Sequence, residues 1–306
     1  MSLAVIARGS AGTARSLPDH LHPRTALVLL GGGTVLVAAA STTSLALLVA
    51  AAIAQIPQVA RIGEWSPDVL ALHQPWAIPI GALAALVLAA LLVRATVTVA
   101  GLVRRYRLVV RDLPADPRSA ADVVVVVDPM PYAVAQPRLG RRPGHVVVSS
   151  GMLDGLRDDE RGALVAHERA HIAKHHHVVL GLAAIAEALN PLLAPWGRAV
   201  AYAAERCADE EAVRSVGDRG VVARAVGHAA LLVHRAGPAM PAWGPGMTSG
   251  PVPRRVGALL VPPPTRSRRL GLVAALLVLA AAVALGATLD AGLDLHGLLE
   301  TAEYGD

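Results

Sequence analysis

The stretch Ala166-His167-Glu168-Arg169-Ala170-His171 decides how the rest of the chain is read. It lies in a helix-compatible run. Residues four apart on a helix share one face, so His167 and His171 can both aim a ring nitrogen at one metal ion. Glu168 follows the first histidine directly, where it can reach a metal-bound water and take its proton. A solvated helix that carries two histidines by chance is the bland alternative, and the spacing argues against it. The stretch therefore predicts zinc-dependent hydrolysis, with Glu168 as the catalytic base.

Working outward, the composition is wrong for an ordinary soluble enzyme. Of 306 residues 54% are hydrophobic and only 17% charged, and the mean hydropathy is +0.50. Such values point to membrane spans. Lys174 is the only lysine and phenylalanine is absent. The net charge of +5 comes from arginines that cluster beside apolar runs, so they read as topology determinants and no direct nucleic-acid binding is expected. A single cysteine, Cys207, excludes an internal disulfide and any multi-cysteine zinc site.

No charged residue occurs from Thr25 to Ala60, and the core Ala26–Ala54 is long enough to cross a bilayer. A cleaved signal peptide fits less well, because the preceding arm is long and the apolar run exceeds a signal core. A second span is expected over 76–103 and a third over 269–290. Arg8, Arg15 and Arg24 precede the first span, whereas Arg61 in the following loop is balanced by Glu64 and Asp68. Arg104, Arg105, Arg107 and Arg111 follow the second span, and Arg254, Arg255, Arg266, Arg268 and Arg269 precede the third. The positive-inside tendency then gives a multi-pass protein of the cell membrane. Its expected parts are a cytoplasmic arm 1–24, a first span 25–54, an outside loop 55–75, a second span 76–103, a cytoplasmic zinc peptidase domain 104–235, a flexible Pro/Gly-rich linker 236–268, a third span 269–290 and an outside tail 291–306. The fold class is a mainly α membrane protein with three transmembrane helices and a cytoplasmic α+β domain holding a small sheet.

Within that domain Asp122–Asp128, Tyr132–Gln136 and His145–Ser149 read as short strands separated by Pro-rich turns. Asp154–His177 reads as one helix, with Asp158, Asp159 and Glu160 near its start, where the helix dipole favours acidic groups.

Two histidines do not complete a catalytic zinc site; a third protein ligand is needed. His177 stands six residues after His171, but a chain that turns back there wants a glycine midway, and the position is Lys174. Glu205, in Glu205-Arg206-Cys207-Ala208-Asp209, is the stronger candidate. Asp209 falls one turn further on the same face, placed to accept a hydrogen bond from a ligand histidine outside the ligand set. A merely solvated acidic face is the competing reading. The apolar run Val178–Trp196 is long enough to span, yet a single crossing would put His167 and Glu205 on opposite sides. It must fold back within the domain, form a re-entrant hairpin near Asn190-Pro191, or lie along the interface.

One of His175, His176 and His177, or Arg206 or Tyr202, could stabilise an oxyanion. A polar helix end explains the three histidines more simply. His228 and His234 read as packing residues, as does Cys207.

Pro131-Tyr132-Ala133-Val134, Val146-Val147-Val148-Ser149-Ser150-Gly151-Met152-Leu153 and the HERAHIAKHHH run, after transmembrane segments, resemble the membrane zinc peptidases of the beta-lactam sensor–transducer (BlaR/MecR-like) group. More distantly the chain resembles the prenyl-protein and heat-shock membrane proteases, whose third ligand has the form Glu-x-x-Ala-Asp, here Glu205 to Asp209. The likeness covers roughly 76–216. It implies a gluzincin-like fold, endopeptidase activity and an edge strand around Val146–Ser149 that pairs with an extended peptide. The large extracellular sensor domain of the best-known sensor–transducers has no counterpart in Asp290–Asp306, so antibiotic sensing is not carried over.

The expectation is thus a zinc metalloendopeptidase at the cytoplasmic membrane face. Zn2+ is held by His167, His171 and Glu205, Glu168 is catalytic, and Asp209 orients a ligand histidine. Its partners are the lipid bilayer and a protein or peptide substrate, with a transcriptional regulator or the chain's own Gly237–Pro264 stretch as candidates. The alternative is a non-catalytic regulatory membrane protein with a zinc-binding domain.

Overall fold

The computed structural model describes residues 12, 14, 16–112, 122–137, 144–237 and 251–262, with the isolated positions 272, 279, 283 and 286. They fall into two compact units. One takes residues 1–31, 100–183 and 194–272, and the other 32–99, 184–193 and 273–306.

Two long helices dominate the apolar part of the chain, α1 (Pro23–Ala54) and α4 (Ala77–Asp112). Among the described residues these are the two helices long and apolar enough to cross a membrane. Their large apolar side chains stay exposed, for example Val28, Leu83, Leu86 and Val97, as suits surfaces that meet lipid. The segment between them is no simple loop. It forms two short helices, α2 (Pro57–Gly63) and α3 (Pro67–His73), each opened by a proline whose missing N–H costs nothing at a first turn. Trp65 Nε1 donates to the Ala54 carbonyl at 2.8 Å, and Gln55 Nε2 donates to the Gln74 carbonyl at 2.9 Å, closing this segment. The expected third span and outside tail lie outside the described residues, apart from the four isolated positions.

The other unit carries the sheet. Three β-branched stretches form β1 (Val123–Val126), β2 (Ala133–Gln136) and β3 (His145–Ser149), in the order β1-β3-β2. β3 is therefore central, and wholly buried. The expectation that Val146–Ser149 is an edge strand is corrected. β1 runs parallel to β3, with Val124 opposite Val147, and β2 runs antiparallel to it, with Val134 opposite Val147. A short helix α5 (Ser150–Asp154) follows β3 directly, its first turn capped by the Ser149 hydroxyl. Gly151 is required there, because a Cβ would lie 2.1 Å from the Pro129 carbonyl oxygen.

The long helix expected over Asp154–His177 is interrupted. α6 (Asp158–Ala173) ends at Lys174, His175 takes a left-handed φ of 53°, and α7 (His176–Leu189) starts anew. The Glu160 carboxylate accepts from the Arg157 backbone N–H at 3.2 Å at the start of α6. Its oxygens also lie 2.9 Å and 3.0 Å from His228 Nδ1, so His228 is a polar partner of that helix start and not the packing residue expected.

After α7 the chain breaks at Asn190, makes a 3-10 turn Pro191–Leu193, and returns as α8 (Ala194–Val216). Val178–Trp196 is thus interrupted at Asn190 and is not one continuous helix. α9 (Arg219–Ala236) and α10 (Val252–Leu259) complete the described fold. The core of this unit joins Val146 and Val148 of the sheet to Met152, Leu156, Leu164, Val222, Val226 and Leu259. Leu259 comes from the segment 236–268 expected as a flexible Pro/Gly-rich linker. Residues 252–259 are instead an amphipathic helix with Arg255 and Leu259 buried, since its apolar face covers α9.

Candidate metal centre

α6 and α8 lie side by side and supply the site. His167 and His171, one turn apart on α6, face Glu205 of α8. One ligand atom from each of the three falls within 4.8 Å of the others. The Nε2 atoms of the two histidines are 3.2 Å apart. Glu205 Oε1 is 3.5 Å from His171 Nε2, and its Oε2 is 3.6 Å from His167 Nε2. Two imidazoles and one carboxylate converging from two rigid helices make a donor set suited to a divalent cation, with coordination positions left for water or substrate.

Each histidine is held from behind. His167 Nδ1 lies 3.0 Å from Asp209 Oδ1, one turn beyond Glu205 on α8. His171 Nδ1 lies 3.1 Å from His176 Nδ1. With Nε2 of His171 turned to the ligand cluster, its Nδ1–H donates to His176, leaving the proton of His176 on Nε2. That Nε2 is buried and has no hydrogen-bond partner among the described residues.

His177, the rejected ligand candidate, is exposed, as is His175. The turn at Lys174-His175 brings back the residue between them, and brings it to His171 and not to the ligand cluster. Tyr202 and Arg206 do not serve the site either. The Tyr202 hydroxyl donates to Asp19 at 3.0 Å, and Arg206 lies 3.8 Å from the same carboxylate.

Burial governs the electrostatics. Glu168 is buried, and burial pushes its pKa up to about 7, with the Ala135 backbone N–H donating to its carboxylate and partly opposing that rise. Burial alone would lower His167, but hydrogen bonds with Asp209 and Glu205 prevail and lift it to about 9. Burial lowers His171 to about 3 and His176 to about 4. Glu205 and Asp209 stay below the usual carboxylate range against the opposing effect of burial. His167 and Arg255 hold Glu205 down, and Arg255 followed by His167 holds Asp209 down.

The sequence offers His176 only as an oxyanion donor or part of a polar helix end, and Arg255 only as a topology determinant; it places neither beside the ligands. Arg255 stands in a Pro-rich stretch beside Arg254, where a topology role was the natural inference. Its one distinguishing signal is the hydrophobic spacing of Val252, Val256 and Leu259, which marks a short amphipathic helix.

Residues 104–183 match the family model described as Peptidase family M48. The match covers the sheet, α6 and the start of α7, a minority of the chain, and supports metallopeptidase chemistry in general. It stops short of Glu205, Asp209 and Arg255. The likeness to sensor–transducer peptidases rests on the sequence motifs alone. Searches of curated proteins and of solved structures gave no match.

Proposed function

We propose that the chain is a membrane-anchored zinc endopeptidase that cleaves a protein substrate at the cytoplasmic face of the cell membrane. The observation that carries this is the convergence of His167, His171 and Glu205 beside the buried Glu168. The residues fit a catalytic zinc ion: two imidazole nitrogens, one carboxylate, and an outer partner on each ligand histidine. Zinc bound there would supply Lewis acidity to the scissile carbonyl and to water. Glu168 takes the proton of the attacking water and returns it to the leaving amine. Asp209 fixes the orientation of His167, and His176 that of His171.

β2 supports the choice of a peptide substrate. Ser149 N–H donates to the Tyr132 carbonyl at 3.0 Å, so alternation along the antiparallel pair turns the backbone groups of Ala133 and Ala135 away from β3. The Ala135 N–H reaches Glu168. An extended peptide that pairs with this edge would therefore pass next to the catalytic carboxylate. The corrected edge is β2, not β3. Arginine asymmetry supports the cytoplasmic side, and a transcriptional regulator is one substrate class compatible with it.

Glu168→Ala in the purified full-length protein tests this reading. Peptide hydrolysis should fall by about 10²- to 10⁴-fold while zinc content is unchanged. Retained hydrolysis would remove Glu168 from the chemistry. A wild-type protein that binds zinc without chelator-sensitive hydrolysis would favour the regulatory alternative.

A further inference from the structure

The buried carboxylates of the centre meet a cation that neither α6 nor α8 provides. Arg255 of α10 is fully buried. Its Nε donates to Asp209 Oδ2 at 2.9 Å and its Nη2 to Asp209 Oδ1 at 2.6 Å, a two-pronged contact. Its Nη1 lies 2.7 Å from Glu205 Oε2. One guanidinium thus bridges the two carboxylates, and Asp209 Oδ1 is shared between Arg255 and His167 Nδ1.

The delivery of that side chain is rigid. At the start of α10 Arg254 grips Asp19 through Nε, at 3.1 Å to each carboxylate oxygen, and its guanidinium stacks 4.1 Å from the centre of the Tyr202 ring. At the other end Arg219 donates to the Leu259 carbonyl at 2.9 Å and the Ala258 carbonyl at 3.3 Å while pairing with Glu210. Leu259 is seated in the core. A short helix anchored at both ends and along one face holds Arg255 in one place.

We propose that Arg255 is a positioning residue of the metal centre: by engaging Glu205 Oε2 it leaves Oε1 as the single oxygen offered to the ion, and by engaging Asp209 it locks the Asp209–His167 pair. This rests on the metal-centre reading above. A carboxylate free of such a partner can chelate through both oxygens, occupying a position that water or the scissile carbonyl needs. Lysine would keep the charge but not the planar fork that spans both carboxylates.

The test uses full-length protein in detergent loaded with cobalt(II), whose visible absorption is intense in four-coordinate sites and weak in five-coordinate ones. Wild type should take up one cobalt with the intense spectrum. Arg255→Gln should bind it about 10- to 100-fold more weakly, with the weaker spectrum. Arg255→Lys should shift the spectrum in the same direction despite its charge. Wild-type affinity and spectrum in Arg255→Lys and Arg255→Gln together would overturn the proposal, as would full rescue of both by Arg255→Lys. If circular dichroism shows Arg255→Gln unfolded, Arg255→Lys decides by the same readouts. Loss of fold in both variants makes Arg255 a folding residue and overturns the proposal. Wild type that takes up no cobalt overturns the metal-centre reading itself, and this inference falls with it.

Discussion

Glu168 and His171 owe their charge state to burial, whereas His167 owes its own to Asp209 and Glu205. A glutamate on a solvated helix would stay ionised at neutral pH. Here loss of water raises its pKa to about 7, against the opposing pull of His167, Arg255 and the Ala135 backbone N–H. The outer partners matter as much. His176 accepts the only hydrogen bond that fixes the His171 ring from behind among the described residues. His176→Phe keeps the bulk and removes the acceptor, so zinc affinity should drop by about 10-fold or more, read by competition with a chromophoric chelator. Unchanged affinity would leave His176 as packing alone. His167, Glu168, His171, Glu205 and Asp209 were legible because each set repeats at helical spacing on one helix. His176 was not, since its reach to His171 depends on the left-handed turn at His175, which no glycine announces.

At the level of elements, β2 and α6 form the working unit. The edge strand sends the Ala135 N–H to Glu168 and leaves neighbouring backbone groups of Ala133 facing away from β3. Ala135→Pro removes that N–H without cutting the β2–β3 ladder, because residue 135 lies at a pair that does not hydrogen-bond to β3. Peptidase kcat/KM should fall at least about 10-fold while zinc content and the thermal midpoint change little. A large drop in the midpoint instead would mean that the strand had been broken. The three strands themselves were readable from their valine runs. Their order was not, because two edges and a centre share one composition when both faces are covered. The helix Val252–Leu259 was hidden for a related reason. Prolines and arginines around it resemble a linker, and only the core surface of α9 gives its apolar side something to cover.

For the whole molecule, the arginine distribution makes a topological prediction. The single native cysteine, Cys207, is buried, so an introduced surface cysteine reports its own location. Asp68 and Arg157 are both exposed, one between the two long apolar helices and one in the unit that carries the site. Asp68→Cys should react with an impermeant maleimide in intact cells, and Arg157→Cys only after permeabilisation. The opposite pattern would place the metal centre outside. Equal labelling of both in intact cells would deny that a bilayer separates them.

By itself the sequence determined that His167 and His171 share one helix face, and Glu205 and Asp209 another, because helical spacing puts residues four apart on one side without help from the rest of the chain. It also determined the two long apolar helices, since a predominantly apolar run of that length has few other stable environments. Tertiary structure alone decided the strand order, the turn that brings His176 back, and the arrival of Arg255 at Glu205 and Asp209. Those depend on contacts between residues distant in the chain. Such contacts form because buried carboxylates demand a cation and apolar faces demand cover, and neither demand names its partner in advance.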